Sequence, residues 1–214
     1  MKILGVSCSP RKGGNTEILM REAMAGVEES GAEAELITIH DKDLKPCDGC
    51  RTCRNDAVCH IQDDMQEIYT KMMEADGILF GTPVYFWSVT AQAKIVIDRL
   101  NGLYGLGKLS NKIGGAIAVA GSQGFTEVRN LYYAFFATNH MFIADFVTGY
   151  AREKGQVKRD KFAMKASWEL GLKMAAMAVE RPRYPEGYDI PLRNLVQEKY
   201  GIASSPIDGR FEAP

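Results

Sequence analysis

The stretch KILGVSCSPRKGGNT, residues 2–16, joins a short apolar run to a loop of serine, glycine and basic residues. The run KILGVS predicts a buried strand that ends in small residues. A helix is predicted after the loop, capped by Asn15 or Thr16 and ended by Gly31, with its apolar positions on one face. These positions are Ile18, Leu19, Ala23, Met24 and Val27. The stretch therefore predicts a strand, a loop and a helix, the unit from which open parallel sheets are built.

The rest of the chain repeats this alternation. Further strands are predicted over 34–39, over 76–86 with a break at Gly81 to Pro83, over 112–120 and over 141–149. Helices are predicted over 63–75, over 88–103 with Ser88 as N-cap, over 126–140 and over 159–180. Near-continuous apolar strands between helices indicate a parallel sheet that is covered on both faces. We expect one doubly wound α/β domain over 1–180, with a cysteine-rich loop over 45–62 after the second strand.

The segment 181–214 departs from this pattern. It holds five of the eight prolines, at positions 182, 185, 191, 206 and 214, and it has little helical periodicity. Its apolar side chains are too numerous for a solvated end: Tyr184, Tyr188, Ile190, Leu192, Leu195, Val196, Tyr200 and Phe211. A disordered tail is the alternative that composition allows. We expect an extended C-terminal arm that packs on its own subunit or on a partner subunit.

Charge and hydropathy argue against several classes of protein. The chain has 26 Lys and Arg against 27 Asp and Glu, a net charge of -1, which gives no electrostatic attraction to nucleic acid or to an acidic membrane. The first apolar run is too short for the core of a signal peptide, and no window holds about 18 uninterrupted apolar residues. We therefore expect a cytoplasmic protein that binds neither nucleic acid nor a membrane. Clustered cysteines in that compartment more often bind metal or carry out redox chemistry than form disulfides.

The loop SCSPRKGGNT, residues 7–16, lies where the first strand turns into the first helix. Ligands of open parallel sheets bind at this edge, and a helix N-terminus offers free N–H groups to an anion. Ser9, Asn15 and Thr16 add polar donors, and Arg11 adds a charge, which suits one phosphate monoester. Neither the dinucleotide fingerprint nor the nucleotide-triphosphate glycine motif is present. A polar turn with a helix cap is the alternative interpretation.

Two more loops follow strands at the same edge. The loop GTPVYFWS, residues 81–88, places aromatic side chains beside backbone that Pro83 releases from the sheet, and the loop GSQG covers 121–124. A flat apolar surface flanked by free backbone groups suits a planar heteroaromatic ring. The convergence of three loops favours a ligand over simple packing of aromatic residues.

Four of the five cysteines lie in CDGCRTCRNDAVCH, residues 47–60, at Cys47, Cys50, Cys53 and Cys59. A folded-back loop with this spacing can direct four thiolates at one centre, because three residues span about 10 Å when extended. The close spacings resemble those of ferredoxins, which hold a four-iron cluster by cysteine alone. Structural zinc sites more often use two separated cysteine pairs. An iron-sulfur cluster is favoured, with zinc or free redox-active thiols as the alternatives.

The segments SPRKGGNTE, PCDGCRTCRNDAVCHIQDDM and GTPVYFWSVTAQAKIVIDR together resemble the iron-sulfur flavoproteins, a branch of the flavodoxin-like NAD(P)H-dependent FMN reductases. The resemblance covers about residues 1–150 and implies a five-stranded sheet of order 2-1-3-4-5. It implies that the FMN phosphate is held by Ser9, Arg11, Asn15 and Thr16. It implies that the isoalloxazine lies along Pro83, Val84, Tyr85, Phe86 and Trp87, and is closed on its other side by Gly121, Ser122, Gln123 and Gly124.

We therefore expect an oxidoreductase in which FMN and a four-iron four-sulfur cluster pass electrons between one-electron and two-electron partners. No side chain is expected to be catalytic, because the cofactors carry the chemistry. The first alternative is an NAD(P)H-dependent FMN or quinone reductase whose cysteine loop holds zinc or is empty. The second is a nonenzymatic sensor. Expected partners are a second copy of the chain in a dimer or tetramer, ferredoxin or another small electron carrier, and quinone, oxygen or peroxide.

Other reactive residues are expected to be structural. A lone cysteine such as Cys8 usually packs as a small buried side chain. The three histidines, His40, His60 and His140, have no spacing that suggests hydrolysis. Asp63 and Asp64 are expected to place negative charge at a helix start. The basic stretch 152–161 is expected to be a solvated linker, with docking of an acidic electron carrier as the alternative.

Overall fold

The computed structural model describes residues 1–54 and 59–187, and it contains one five-stranded sheet. The strands are β1 (Lys2–Ser7), β2 (Glu33–Thr38), β3 (Gly77–Pro83), β4 (Ile113–Ala120) and β5 (Phe142–Tyr150). The helices are α1 (Asn15–Glu29), α2 (Met65–Glu74), α3 (Ala91–Arg99), α4 (Asn101–Gly105), α5 (Phe125–Thr138) and α6 (Lys161–Glu180). The strands are all parallel, in the order β2-β1-β3-β4-β5. The flavodoxin-like doubly wound fold is therefore confirmed.

A hydrophobic core lies on each face of the sheet. Successive residues of β1 point to opposite faces, so that Ile3 joins the core under α1 and α6 while Leu4 joins the core under α2, α3 and α5. The α1–α6 crossing brings the two backbones together, since a Cβ atom at Gly171 would lie 1.9 Å from the carbonyl oxygen of Ala23. Burial on both faces explains why the strands read as continuous apolar runs.

Two helix starts differ from the sequence prediction. Helix α1 has Gly14 as its N-cap, with Asn15 as its first helical residue. The helix predicted over 88–103 is divided into α3 and α4, and the N-cap of α3 is Thr90 rather than Ser88. Ser88 is unavailable as a cap because it closes a tight turn with Tyr85, in which each N–H donates to the other carbonyl at 2.9 and 3.1 Å.

The described part of the C-terminal arm packs on its own subunit. The ring of Tyr184 stacks on Phe142 with 4.8 Å between centroids, and its backbone N–H donates to the Asn111 side chain at 2.8 Å. Residues 188–214, which carry most of the apolar side chains predicted to pack, lie outside the described residues. Within the described ranges, no helix combines the length and apolarity needed to cross a bilayer.

Candidate functional site

A cavity of about 300 Å³ opens at the carboxyl ends of the strands, and we call it the strand-end cavity. It is formed by the segments that follow β1, β3, β4 and β5. Its lining residues are Ser9, Arg11, Asn15, Thr16, Pro83, Val84, Tyr85, Val119, Gly121, Ala151 and Arg152. The cavity is therefore lined by all four residues that were predicted to bind phosphate and by three of those that were predicted to lie along a ring. This is the edge of the sheet at which ligands of doubly wound folds bind.

The loop after β1 presents an open helix N-terminus to this cavity. Gly14 caps α1 without a side-chain hydrogen bond, so its first turn keeps N–H donors for another partner. The Ser9 hydroxyl oxygen accepts from the Arg11 backbone N–H at 3.2 Å and shapes the turn. The helix dipole and the Arg11 guanidinium both favour a negative ligand here. One phosphate monoester fits this donor set.

Glu17, which the sequence analysis did not single out, places a carboxylate within the first turn of α1. Its oxygens accept from the Gly13 N–H at 2.7 Å and from the Arg21 guanidinium at 2.7 Å. Burial raises the pKa of Glu17, but the hydrogen bonds from Arg21 and Gly13 outweigh it and leave the pKa lowered. Glu17 is therefore charged, and its hydrogen bond to the Gly13 N–H stabilises the loop before α1.

Asn15 connects this loop to the segment after β5. Its amide nitrogen donates to the carbonyl oxygen of Glu153 at 2.8 Å, and its amide oxygen accepts from the Val157 N–H at 3.3 Å. Asn15 lines the cavity, but its side chain holds two backbone groups of that segment. Thr16 is 1% exposed at the base of the loop.

The start of the segment that follows β5 is a wall of the cavity that the sequence analysis missed. Ala151 and Arg152 line the cavity, and the Arg152 side chain lies over Gly121, where a Cβ atom would be 3.1 Å from its Nε. Val157 is fully buried, whereas most of 152–161 is exposed, as the prediction of a solvated linker requires. The available signal was position, because this segment follows the fifth strand at the edge where the other loops converge.

The loop 83–88, which we call the aromatic loop, divides its side chains between cavity and solvent. Pro83, Val84 and Tyr85 line the cavity, whereas Phe86 is 98% exposed and Trp87 is 47% exposed. Phe86 and Trp87 have positive φ angles of 43° and 64°. Left-handed backbone at such residues costs about 1–3 kcal/mol and is often found at ligand clamps.

The loop 121–124 contacts the aromatic loop from the side of β4. Gly124 has φ 95°, and a Cβ atom there would lie 2.6 Å from Val84 Cγ1. Ser122 and Gln123 are exposed, and Gly121 lines the cavity beneath Arg152. The two loops thus approach each other at Gly124, whereas Ser122, Gln123, Phe86 and Trp87 do not line the cavity.

The cysteine loop, residues 45–62, carries four cysteines without disulfides. Cys47 and Cys50 are exposed, Cys53 is partly exposed and Cys59 is buried. Four free thiols on one loop fit the donor chemistry of an iron-sulfur cluster. The Cys50 sulfur lies 3.4 Å from the Thr52 hydroxyl, and the Cys53 sulfur accepts from the Asn101 amide at 4.0 Å.

The closest group of possible metal-ligand atoms in this loop contains oxygen, sulfur and nitrogen, rather than four sulfurs. The His60 ring nitrogen Nε2 lies 2.7 Å from an Asp48 carboxylate oxygen, and the other oxygen of Asp48 accepts from the Cys50 N–H at 3.1 Å. The ligand atoms of Asp48, Cys50 and His60 lie within 4.8 Å of one another, and no other set of three does so among the described residues. Hydrogen bonding from Cys50 lowers the pKa of Asp48. Convergence of the four thiols on one centre stays a prediction.

Cys8 and Asp63 are both buried. Burial raises the pKa of the Cys8 thiol to about 12, and its side chain is fully enclosed, as the sequence analysis predicted. The Asp63 carboxylate, one residue before the N-cap Asp64, accepts from the Met65 N–H at 3.0 Å and so places negative charge at the start of α2, as predicted. It is also paired with Arg99, which the sequence analysis did not single out.

The sheet order and the strand-end cavity define a flavodoxin-like fold with a cavity at the edge where such folds bind their ligands. Among solved structures, the chain is similar to RosB with a bound riboflavin-phosphate derivative, at a TM-score of 0.73 and 18% identity over 94% of this chain and 87% of that one. It is also similar to a flavone reductase, at a TM-score of 0.69 and 21% identity over 86% of this chain and 66% of that one. These likenesses show the fold.

Sequence comparison narrows the class. Residues 1–150 match the NADPH-dependent FMN reductase family. An iron-sulfur flavoprotein of Methanocaldococcus jannaschii is 40% identical over 82% of this chain and 96% of its own length. An iron-sulfur flavoprotein of Methanosarcina thermophila is 43% identical over 58% of this chain and 65% of its own length. The chain belongs to the NADPH-dependent FMN reductase family, in its iron-sulfur flavoprotein branch, and is a flavin-binding oxidoreductase.

Proposed function

We propose that this protein relays electrons between FMN in the strand-end cavity and a four-iron four-sulfur cluster bound by Cys47, Cys50, Cys53 and Cys59. The observation that carries the proposal is a loop with four free thiols in a chain that also has a flavin-type cavity. Similarity to proteins named iron-sulfur flavoproteins supports it. Such a pair of cofactors connects two-electron and one-electron partners, because a flavin exchanges either number and a cluster exchanges one.

The chain contributes binding and electrostatics at the flavin. The first turn of α1 and Arg11 neutralise the phosphate, while Val84 and Tyr85 provide an apolar wall for the ring. Arg152 places a fixed positive charge in the same cavity, where it would favour added negative charge on a reduced ring. No side chain in this arrangement has to act as a catalytic acid or base. The main role of the protein is therefore to position the cofactors.

The cysteine loop would hold its cluster through thiolates, so the four thiols would release their protons as metal binds. Cys59 is the buried anchor of the set, and Cys53 lies beside α4, with the Asn101 amide nitrogen 4.0 Å from its sulfur. Amide donors near ligating sulfur tune the reduction potential of clusters. The loop is therefore suited to exchange electrons singly in a cytoplasmic, reducing setting.

We also propose that the protein works as a homodimer or homotetramer and exchanges electrons with ferredoxin or another small carrier, or with quinone, oxygen or peroxide. The exposed Phe86 and Trp87 beside the cavity support a contact with another molecule at this edge. Exposed aromatic side chains are enriched in the centres of interfaces. Sedimentation velocity at micromolar concentration tests the oligomer, and a single monomeric species would contradict it.

The alternative is an NAD(P)H-dependent FMN or quinone reductase with zinc in the cysteine loop. The close group of Asp48, Cys50 and His60 favours it, because zinc accepts oxygen, sulfur and nitrogen ligands together. This function needs no iron. It predicts rapid reduction of FMN by NADPH and a metal content of zinc alone.

Anaerobic purification followed by analysis of iron, acid-labile sulfide, zinc and FMN separates the two functions. The relay predicts about four irons and one FMN per chain, as in a cysteine-ligated four-iron centre. FMN with zinc, or FMN without metal, in protein never exposed to oxygen would overturn the relay and favour the reductase. Stopped-flow mixing with NADPH then tests whether hydride enters at the flavin.

A further inference from the structure

The two ends of the cysteine loop meet at one buried ion pair. The guanidinium of Arg99 and the carboxylate of Asp63 face each other through two parallel contacts, Nη1 to Oδ2 at 2.8 Å and Nη2 to Oδ1 at 3.0 Å. Both side chains are 0% exposed. Bidentate geometry fixes orientation as well as distance, which a lysine cannot reproduce.

The remaining donors of Arg99 bind the backbone of both loop ends. Nη1 also donates to the Lys45 carbonyl oxygen at 2.8 Å, and Nη2 donates to the Ile61 carbonyl oxygen at 3.2 Å. Lys45 lies two residues before Cys47, and Ile61 lies two residues after Cys59. The Arg99 guanidinium therefore sets the distance between the segment that precedes Cys47 and the segment that follows Cys59.

Asp63 completes the same attachment from the other side. Its Oδ2 accepts from the Lys45 N–H at 2.9 Å, so that both backbone groups of Lys45 are held by the pair. The last donor of Arg99, Nε, reaches the Tyr69 hydroxyl at 3.2 Å, and that hydroxyl donates to the Arg99 carbonyl at 2.8 Å. All five N–H donors of the guanidinium are used, which is the condition under which a buried charge is tolerated. We call this unit the Arg99–Asp63 clamp.

Helix α3 connects the clamp to the strand-end cavity. Arg99 is its last residue, and its N-cap Thr90 follows the aromatic loop and donates through its hydroxyl to the Cys8 carbonyl at 2.8 Å. A helix of nine residues is about 13 Å long. The clamp and the cavity are thus joined by one short rigid element.

We propose that Arg99 is a positioning residue for the cluster. With Asp63 it closes the base of the cysteine loop, so that the four thiols keep the separation that a single centre needs. Through α3 it holds that loop at a set place relative to the flavin. The inference rests on the proposed function, because it takes the thiols to be metal ligands.

The test measures metal loss from anaerobic holoprotein to an excess of chelator. Arg99→Lys keeps the charge but not the planar fork, and we expect iron to leave at least tenfold faster while FMN stays bound. Arg99→Met should lose iron faster still. Lys94→Gln, which breaks an exposed pair with Asp98 on the same helix, is the matched control and should behave as wild type. Iron loss from Arg99→Lys within twofold of wild type would overturn the inference.

Tyr69→Phe covers the case in which the Arg99 variants fail to fold. It removes one hydrogen bond to Nε and leaves the Arg99–Asp63 pair in place. We expect a twofold to fivefold faster iron loss and an altered electron paramagnetic resonance line of the reduced cluster, at unchanged FMN content. The melting temperature should fall only moderately, because the variant loses the two hydrogen bonds of the Tyr69 hydroxyl and keeps the ion pair. An unchanged rate and line shape would overturn the inference.

The wild-type metal content distinguishes failure of the inference from failure of the relay. Zinc in place of iron would overturn the relay, and zinc release from the same variants would then test the clamp. A wild-type protein that retains neither metal would overturn both. Metal loss that is faster in the Arg99 and Tyr69 variants but unchanged in the Lys94→Gln control supports the role of the clamp.

Discussion

The strand-end cavity and the cysteine loop are held in place by different parts of the chain. The cavity takes its walls from segments that directly follow β1, β3, β4 and β5, so paired strands set the position of each wall. The cysteine loop leaves the sheet after β2, and its residues 47–52 are exposed. Its position depends on two buried side chains at its base. A flavin can therefore enter a site that the fold has already built, whereas the proposed cluster would have to order the exposed thiols above the base of the loop.

The largest expected effect comes from a substitution in the cysteine loop that leaves the strand-end cavity unchanged. Cys59→Ser removes the buried anchor of the thiol set, and we expect loss of nearly all iron and sulfide. FMN content should remain near wild type, because the cavity contains no cysteine side chain among its lining residues. Metal analysis and the visible spectrum of anaerobic protein check both expectations.

The control for this prediction is Cys8→Ala. Cys8 is buried in the core near the first loop and is not part of the cysteine loop. We expect its iron content to match wild type, with at most a moderate loss of stability from the small cavity. Equal iron loss in both variants would contradict the division between the two regions.

The second prediction removes the charge that balances Arg99. Asp63→Asn leaves a buried guanidinium without its counterion, and breaking such a pair costs about 3–5 kcal/mol. Burial raises the pKa of Asp63, but Arg99 and the backbone donors outweigh it, so the folded pKa lies below the ordinary value. The carboxylate therefore stabilises the fold above the unfolded pKa of about 3.9, and this contribution is lost as pH falls through the folded pKa.

Urea unfolding of wild type and Asp63→Asn from pH 7 to acid measures this difference. Both proteins are first treated with chelator, so that metal loss in acid adds nothing to the comparison. We expect a constant gap above about pH 5 that narrows below about pH 4. The matched control is Asp98→Asn, an exposed partner of Lys94, for which the gap should stay below about 1 kcal/mol at every pH. A gap that does not narrow in acid would refute the role of the Asp63 charge.

The third prediction concerns a substitution that lowers FMN affinity at the strand-end cavity and leaves the cysteine loop unchanged. Arg11→Gln removes the charged donor that lines the phosphate end, and a hydrogen bond to a charged group contributes about 1.5–3 kcal/mol. That corresponds to a loss of FMN affinity of about tenfold to a hundredfold. Fluorescence titration of the apoprotein with FMN measures it. Lys12→Gln, in the same loop but outside the lining, should change the affinity by less than about threefold.

The fold and most of the cavity could be predicted because their signals are local. Strands β1, β3 and β4 are near-continuous apolar runs, and each of the three predicted cavity loops directly follows one of them. The clamp could not be predicted, because Arg99 and Asp63 are 36 residues apart and neither belongs to a periodic pattern. Asp63 resembles an ordinary acidic residue at a helix start, and the structure shows that it does serve this purpose while also pairing with Arg99. Arg152 was missed for a related reason, since a run of charges predicts a solvated surface.

The smallest expected effect concerns Phe86, where the aromatic loop leaves the cavity. Its φ of 43° disfavours a residue with a Cβ atom, at a cost of roughly 1–2 kcal/mol, whereas glycine adopts it freely but loses about 0.5–1 kcal/mol more backbone entropy on folding. Because the ring is 98% exposed, Phe86→Gly removes almost no packing, and we expect a change in unfolding free energy below about 1 kcal/mol, in the stabilising direction. FMN affinity should stay within about twofold of wild type, because Phe86 does not line the cavity. Self-association or electron transfer to a partner should fall if this exposed ring is a contact. A large loss of FMN affinity would instead mean that the Phe86 ring folds over the bound flavin and belongs to the wall of the cavity.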